Sequence, residues 1–174
     1  MAIDQSDYRT ALGCFATGVT VVTALGPRGE HLGITVNSFN SVSLDPPLVL
    51  WSLGRQAFSL KAFLSTDHFV VNVLREGQEH LSGRFARTLE DKWSGIDYVT
   101  WDSDCPVLPE SVACFECRTR HTYRGGDHVI FVGEVINLTY DPSGRPLIFH
   151  HGRYRSLEQA PAPAPAPAPI GDER

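Results

Sequence analysis

Between Gly33 and Ser59 the chain reads GITVNSFNSVSLDPPLVLWSLGRQAFS, and its first part alternates with a period of two. Ile34, Val36, Val42 and Leu44 share one phase; Thr35, Asn37, Ser41 and Ser43 share the other. That alternation predicts a strand with one packed face and one polar face. Asp45-Pro46-Pro47 then predicts a turn, because neither proline can donate to a ladder. The apolar run from Leu48 to Leu53 suits a buried strand. The polar face is neutral up to Asp45, whereas a solvated strand usually carries charges. Small neutral donors and acceptors suit a ligand rich in hydroxyl, carbonyl and ring-nitrogen groups, where an unpaired buried charge would be costly. An ordinary Ser/Thr-rich strand has the same pattern, so both readings stand at this point.

The same patterning divides the rest of the chain. Residues 4–17 predict an amphipathic helix with Asp4 as N-cap and a stripe of Tyr8, Ala11, Leu12 and Phe15. Arg9 lies off that stripe, and Gly18 is expected to end the helix. Val19 to Leu25 reads as a strand closed by the Gly26-Pro27-Arg28-Gly29 turn, and the next strand runs from Leu32 to Leu44. Leu60, Ala62, Phe63 and Leu64 predict a short helix whose free N–H groups near Ser59 would suit an anion. A strand over 67–74 and a helix over 76–87 follow, the latter with Leu81 and Phe85 facing inward. Residues 88–110 are less regular. Two long strands, 111–124 and 127–140, are joined at Gly125-Gly126-Asp127, a hairpin signal. Asp141 to Gly144 is a turn and Pro146 to His150 a last strand. The fold class expected is mainly β with short helices (α+β): six or seven strands and three helices. Neither GxGxxG nor GxxxxGK[ST] occurs, so an antiparallel barrel is favoured over a doubly wound sheet.

Composition narrows the function classes. A chain of 174 residues with 42% hydrophobic content can bury a real core. Residues 1–157 are expected to form that domain. Residues 158–174 are expected to be a disordered tail, in which the Pro-Ala repeats over 160–169 predict an extended stretch that could reach roughly 30 Å at ~3.1 Å per residue. The net charge is −5 and the basic residues are scattered, apart from Arg118-Thr119-Arg120-His121. That disfavours a nucleic-acid face but leaves room for a phosphate-bearing small molecule, which needs only one or two cations and backbone N–H groups. No apolar run reaches membrane-spanning length, and the acidic N-terminus is unlike a signal peptide, so no membrane association and a cytoplasmic location are expected. Cys114 and Cys117 form a CxxC spacing, but on a strand residues three apart point to opposite faces. With Cys14 and Cys105 isolated, zinc ligands are lacking and reduced, mostly buried thiols are expected.

These residues, taken together, resemble the flavin reductase family with the FMN-binding split-barrel fold, and within it the reductase components of two-component flavin-dependent monooxygenases. The matching stretches are TGVTVVTA at 17–24, GITVNSFNSVSLDPPLVL at 33–50, FVVNVL at 69–74, LSGRFA at 81–86, DKW at 91–93, GDHVIFVGEV at 126–135 and PLIFHHGRY at 146–154. The resemblance implies a homodimeric antiparallel split barrel that binds FMN or FAD, oxidises NADH or NADPH, and passes reduced flavin to a separate monooxygenase. The implied flavin contacts are Thr35, Asn37, Ser38, Ser52 and Ser59, with Phe85 and Lys92 in a second region and Lys92 facing the phosphate. His128, implied beside the nicotinamide, is the catalytic candidate; Tyr154 and Arg9 are candidates for the same side. Hydride transfer between two stacked rings asks for placement, so the lack of a catalytic triad or metal cluster fits this chemistry. The proton can come from water, and no general acid is nominated. Trp51, a bulky departure next to Ser52, is expected to alter the space near the flavin. A non-catalytic flavin-binding or electron-transfer protein of the same fold is the alternative, and a structural dimer with a polar pocket a third reading. FMN against FAD, and NADH against NADPH, stay open.

Overall fold

A computed structural model of the chain describes residues 3–88 and 91–158. The first helix, α1, spans Gln5–Gly13, with Asp4 as its N-cap accepting from the backbone N–H of Ser6 and Asp7. It is shorter than the 4–17 pattern suggests. Cys14 caps it, Gly18 lies in the two-residue strand β1 (Thr17–Gly18) rather than ending the helix, and no α1 residue is buried. The apolar stripe of Tyr8, Leu12 and Phe15 is exposed. Strand β2 (Thr20–Leu25) is buried almost throughout, as its β-branched run predicts.

The expected strand from Leu32 to Leu44 is two strands, β3 (His31–Val36) and β4 (Asn40–Leu44). The chain leaves the ladder at 37–39, so Val42 and Leu44 lie on an edge strand and are exposed, Leu44 by 93%. Strand β5 (Pro47–Gly54) alternates in burial, with Val49, Trp51 and Leu53 inside. Its proline occupies the first strand position, where a missing N–H costs least. A four-residue helix α2 (Leu60–Phe63), strand β6 (His68–Val73) and helix α3 (Glu79–Ala86) follow. In the irregular stretch a small hairpin pairs β7 (Val99–Thr100) with β8 (Pro106–Val107). The long pair is β9 (Ala113–Gly125) and β10 (His128–Tyr140); β11 (Ile148–His150) and β12 (Arg153–Arg155) end the described chain.

Seven strands make one antiparallel sheet in the order β3-β2-β6-β9-β10-β5-β4. The sheet curls so that β3 comes close to β5 across the ladder. The strap between β3 and β4 bridges them: Ser52 N–H donates to Ser38 Oγ at 2.9 Å, and that hydroxyl donates to the Ser52 carbonyl at 3.3 Å. This is the split barrel that the resemblance implies. Trp51 stacks on Phe131 with ring centroids 4.5 Å apart and meets Phe63 and Phe69 edge-on. It is fully buried in the main core. Strand alternation therefore turns Trp51 away from Ser52, and the expectation that it would alter the flavin space is corrected.

Three cysteines are buried, Cys14 is exposed, and all four are free thiols. Burial raises the Cys114 thiol to about 11 and pushes Cys117 higher still. Arg145 donates to the Leu157 carbonyl, which ties the end of the expected domain to the barrel. The Pro-Ala tail lies outside the described residues, apart from Glu158. No helix among the described residues is long and apolar enough to cross a membrane.

Candidate functional site

A cleft of about 440 Å³ opens where β3, β5 and the β9–β10 turn converge. Thr35, Asn37 and Ser38 line one wall, Ser52 and Gly54 the floor, and His128 and Ile130 the other wall. The register brings these together: in the β5–β10 ladder Ser52 faces Ile130 and Gly54 faces His128. A Cβ on Gly54 would lie 3.8 Å from His128 Nε2, an ordinary van der Waals contact, so the imidazole lies over this position of the strand. Ser52 shares its strand face with Gly54, opposite to Trp51 and Leu53, which is how one strand serves core and cleft at once.

The side chains differ in how much hydrogen-bonding capacity remains. Thr35 Oγ1 donates to the Ser82 carbonyl at 2.7 Å, fixing β3 to α3 and leaving the oxygen as an acceptor. The Ser38 hydroxyl forms the clasp with Ser52 and so shapes the cleft. The exposed Asn37 amide has no hydrogen bond to any described residue. His128 Nδ1 lies 2.7 Å from Asp127 Oδ1, which leaves Nε2 as the nitrogen turned to the cleft. The hydrogen bond to His128 holds the Asp127 carboxylate below its usual range, and the charge of Arg9 acts in the same direction. The structure thus brings Arg9, from the opposite end of the sequence, to the His128 corner.

A second chamber, about 630 Å³, adjoins the first through Ile34 and Ala57. Ser59 and Lys92 both line it. Lys92 Nζ donates to the carbonyls of Gly33 at 3.1 Å and Phe85 at 3.0 Å, and burial lowers its pKa. An ammonium has three N–H donors, so one remains for the chamber. Near Ser59, where the sequence suggests free N–H groups for an anion, the helix is short: α2 is four residues long, and its cap residue makes no side-chain bond to the first turn. The chain reaches it through tight turns, with Ala57 N–H donating to Gly54 O and Leu60 N–H to Ala57 O.

Phe85 is buried, and its ring fills the space over Gly33, where an added Cβ would come within 2.5 Å. It braces β3 from behind and lines neither chamber. Tyr154 also lies outside both linings; its hydroxyl donates to Ser82 Oγ at 2.9 Å. Sequence reasoning missed Ser82, the buried residue on which Thr35 and Tyr154 converge, because nothing local distinguishes a helical serine. It also missed Asp127 as the partner of His128, although the two are adjacent. Ile130 could have been found from its strand spacing to His128. Among the described residues no group of three or more His, Cys, Asp or Glu side chains is arranged to hold a metal ion.

This architecture has clear relatives. The FMN reductase (NADH) SmoA of Agrobacterium fabrum is 46% identical over 151 residues, covering 87% of this chain and 85% of that protein. The flavin-dependent monooxygenase reductase subunit HsaB of Rhodococcus jostii is 38% identical, covering 90% and 80%. Two Rhizobium meliloti relatives are longer, and the chain spans 57% and 42% of them. The solved structure of the Streptomyces globisporus NADH:FAD oxidoreductase SgcE6, in complex with NAD and FAD fragments, superimposes with a TM-score of 0.84 at 40% identity, covering 94% of this chain and 99% of that one. Residues 12–158 match the model of the flavin reductase like domain, and the chain belongs to that family.

Proposed function

We propose that this chain is an NAD(P)H:flavin oxidoreductase that supplies reduced flavin to a separate monooxygenase. The observation that carries the reading is the neutral cleft, which ends at His128 on one side and continues toward a half-buried lysine on the other. Its donor set fits a flavin. Asn37 and the Thr35 oxygen offer uncharged hydrogen bonds to ring edge and ribityl hydroxyls, Ile34 and Ile130 offer apolar contact, and Lys92 offers a cation for phosphate. Bound there, the flavin would supply the ring that accepts hydride from a dihydronicotinamide.

The chain's own residues orient and enclose. The Ser38–Ser52 clasp holds the strap against β5 and sets the cleft's width. His128, steadied by Asp127, presents Nε2 at the open end, where a nicotinamide carboxamide would approach. Arg9 adds positive charge at that corner for a pyrophosphate-bearing donor. The relative HsaB is a reductase subunit of a flavin-dependent monooxygenase, which supports a separate oxygenase as the acceptor of reduced flavin. A homodimer fits the exposed apolar residues on α1 and the edge strand β4.

The test is the loss of reduced nicotinamide absorbance with purified protein and FMN, FAD or no added flavin. Turnover that rises with added flavin and saturates supports a reductase using flavin as substrate. Turnover independent of added flavin marks a tightly held group. Bound flavin without oxidation of NADH or NADPH leaves the non-catalytic reading, and no oxidation under any condition overturns the enzyme.

A further inference from the structure

We propose that the Pro-Ala stretch of residues 160–169 folds back, as a polyproline II strand, into a groove on its own barrel. The groove, about 430 Å³, shares no lining residue with the cleft or with the second chamber. Val99 and Trp101 beside β7, with Leu108 and Pro109 after β8, form its apolar side. Ser111, Asn137 and Thr139 form its polar side. In the β9–β10 ladder Thr139 faces Cys114 and Asn137 faces Glu116. One face of β10 therefore lines the groove, while Ile136, Leu138 and Tyr140 project from the other.

The described chain ends at the same end of the barrel. Arg145 donates to the Leu157 carbonyl, and the preceding Gly144 packs on Val112, with a Cβ there 3.2 Å from Val112 Cγ2. Asp141 N–H donates to the Val112 carbonyl at 2.8 Å, and Arg75 Nε to the Glu110 carbonyl at 2.8 Å. Glu110 and Ser111 both line the groove, so one short run of contacts links it to the last described residues. The roughly 30 Å that the Pro-Ala stretch can reach, at ~3.1 Å per residue, covers that run and the groove beyond it.

The chemistry of stretch and groove also matches. Alternating proline removes every second N–H, and the carbonyls of a polyproline II strand have no internal partner. Such a strand needs an apolar wall for its rings and donors for its carbonyls, the mode by which proline-rich segments dock in aromatic-lined grooves. Trp101 supplies the wall, and Asn137, Thr139 and Ser111 supply the donors. Ser111 Oγ is buried beside the Cys114 thiol and has no hydrogen-bond partner of normal geometry among the described residues. Residues 159–171 carry no charge, and among the described residues Glu110 is the one charged side chain lining the groove. The tether lets a weak contact suffice. At an effective concentration of the order of 1 mM, an intrinsic Kd of about 100 μM keeps the groove roughly nine-tenths filled.

The test places a nitroxide at Ala166→Cys in the full chain, with Cys14→Ser removing the exposed native thiol. Amide signals of the isotope-labelled protein are compared before and after the nitroxide is reduced. The expected result is a loss of most intensity at Val99, Trp101, Ser111 and Thr139, restored on reduction, with Gly33 and Gly54 unmoved. Asn137→Arg, at an exposed position of β10, puts a long charged side chain into the groove and should abolish that loss without touching the core. Intensity lost evenly over the surface, or a groove loss that survives Asn137→Arg, overturns the proposal. Mixing isotope-labelled chains that lack nitroxide with unlabelled chains that carry it should leave the groove signals intact. A loss in that mixture assigns the groove to the stretch of a neighbouring copy and overturns the fold-back.

Discussion

Single residues in this barrel do their work through what they leave open. Gly33 is the clearest case, since a Cβ there would come within 2.5 Å of the Phe85 ring and 3.3 Å of Trp93. Phe85 is fully buried and cannot yield, so Gly33→Ala should destabilise the fold by about 1–3 kcal/mol, read as a lowered chemical-denaturation midpoint. The same change should loosen the Gly33 carbonyl that Lys92 holds at 3.1 Å. His128 belongs to this scale too. His128→Ala should raise the KM for NADH about tenfold or more while flavin affinity changes less, as expected for loss of one hydrogen bond on the nicotinamide side. Steady-state kinetics with separate flavin titrations check both numbers; equal losses on the two ligands would refute the assignment. Asp127→Asn should have a smaller effect in the same direction, because it removes the group that orients the imidazole without removing the ring.

Pairs of elements are held by partly exposed polar clasps at their ends. Arg75, just after β6, donates to Asp141 Oδ2 at 2.6 Å and to the Glu110 carbonyl at 2.8 Å. Asp141, just after β10, accepts at Oδ1 from the Ser143 N–H at 2.9 Å and from its hydroxyl at 2.6 Å. The Ser143 hydroxyl first, and Arg75 with it, lower the Asp141 carboxyl from its ordinary 3.8 to about 2. A carboxyl depressed in the folded state stabilises above its unfolded pKa, and that contribution is lost as pH falls from about 4 to about 2. Denaturation midpoints measured across that window should fall more steeply for the parent protein than for Asp141→Asn, which has no proton to gain. Identical pH profiles would show that the clasp carries no charge-dependent stability. The β3–β4 strap is the corresponding device at the cleft, where Ser38→Ala would leave the Ser52 N–H unsatisfied.

At the scale of the whole molecule, the exposed apolar surface sets the prediction. Tyr8, Leu12 and Phe15 on α1, Leu44 on β4, and Leu138 and Tyr140 on the free end of β10 are all exposed in the single chain. Scattered singly such residues are ordinary, but a helix with no buried residue and an edge strand with a 93% exposed leucine need a cover. A second copy is the occupant the reading above proposes. Size-exclusion chromatography with light scattering should give twice the chain mass of 19.2 kDa, and Leu44→Glu combined with Tyr140→Glu should shift it toward the monomer. A monodisperse monomer in the parent protein would overturn the dimer.

The sequence by itself determined whatever depends on near neighbours. The Asp4 cap, the period-two strands, the β9–β10 turn and the hydroxyl-rich face of β3 were all legible because each is encoded within a few residues of itself. The neutral face and the ordered family stretches also pointed to the cleft residues Thr35, Asn37, Ser38, Ser52 and His128. Only the tertiary structure decided which of these keep a free hydrogen-bonding atom, since Thr35 is engaged by a carbonyl 47 positions away and Ser38 by a strand 14 positions on. It also decided that Phe85 braces β3 and that Trp51 faces the core. It split one expected strand in two at the strap and joined the cleft to a second chamber through Ile34 and Ala57. Strand pattern is a local property of backbone and side-chain direction, whereas a cavity is the space left when segments distant in sequence pack together. That space has no signature in any one of those segments.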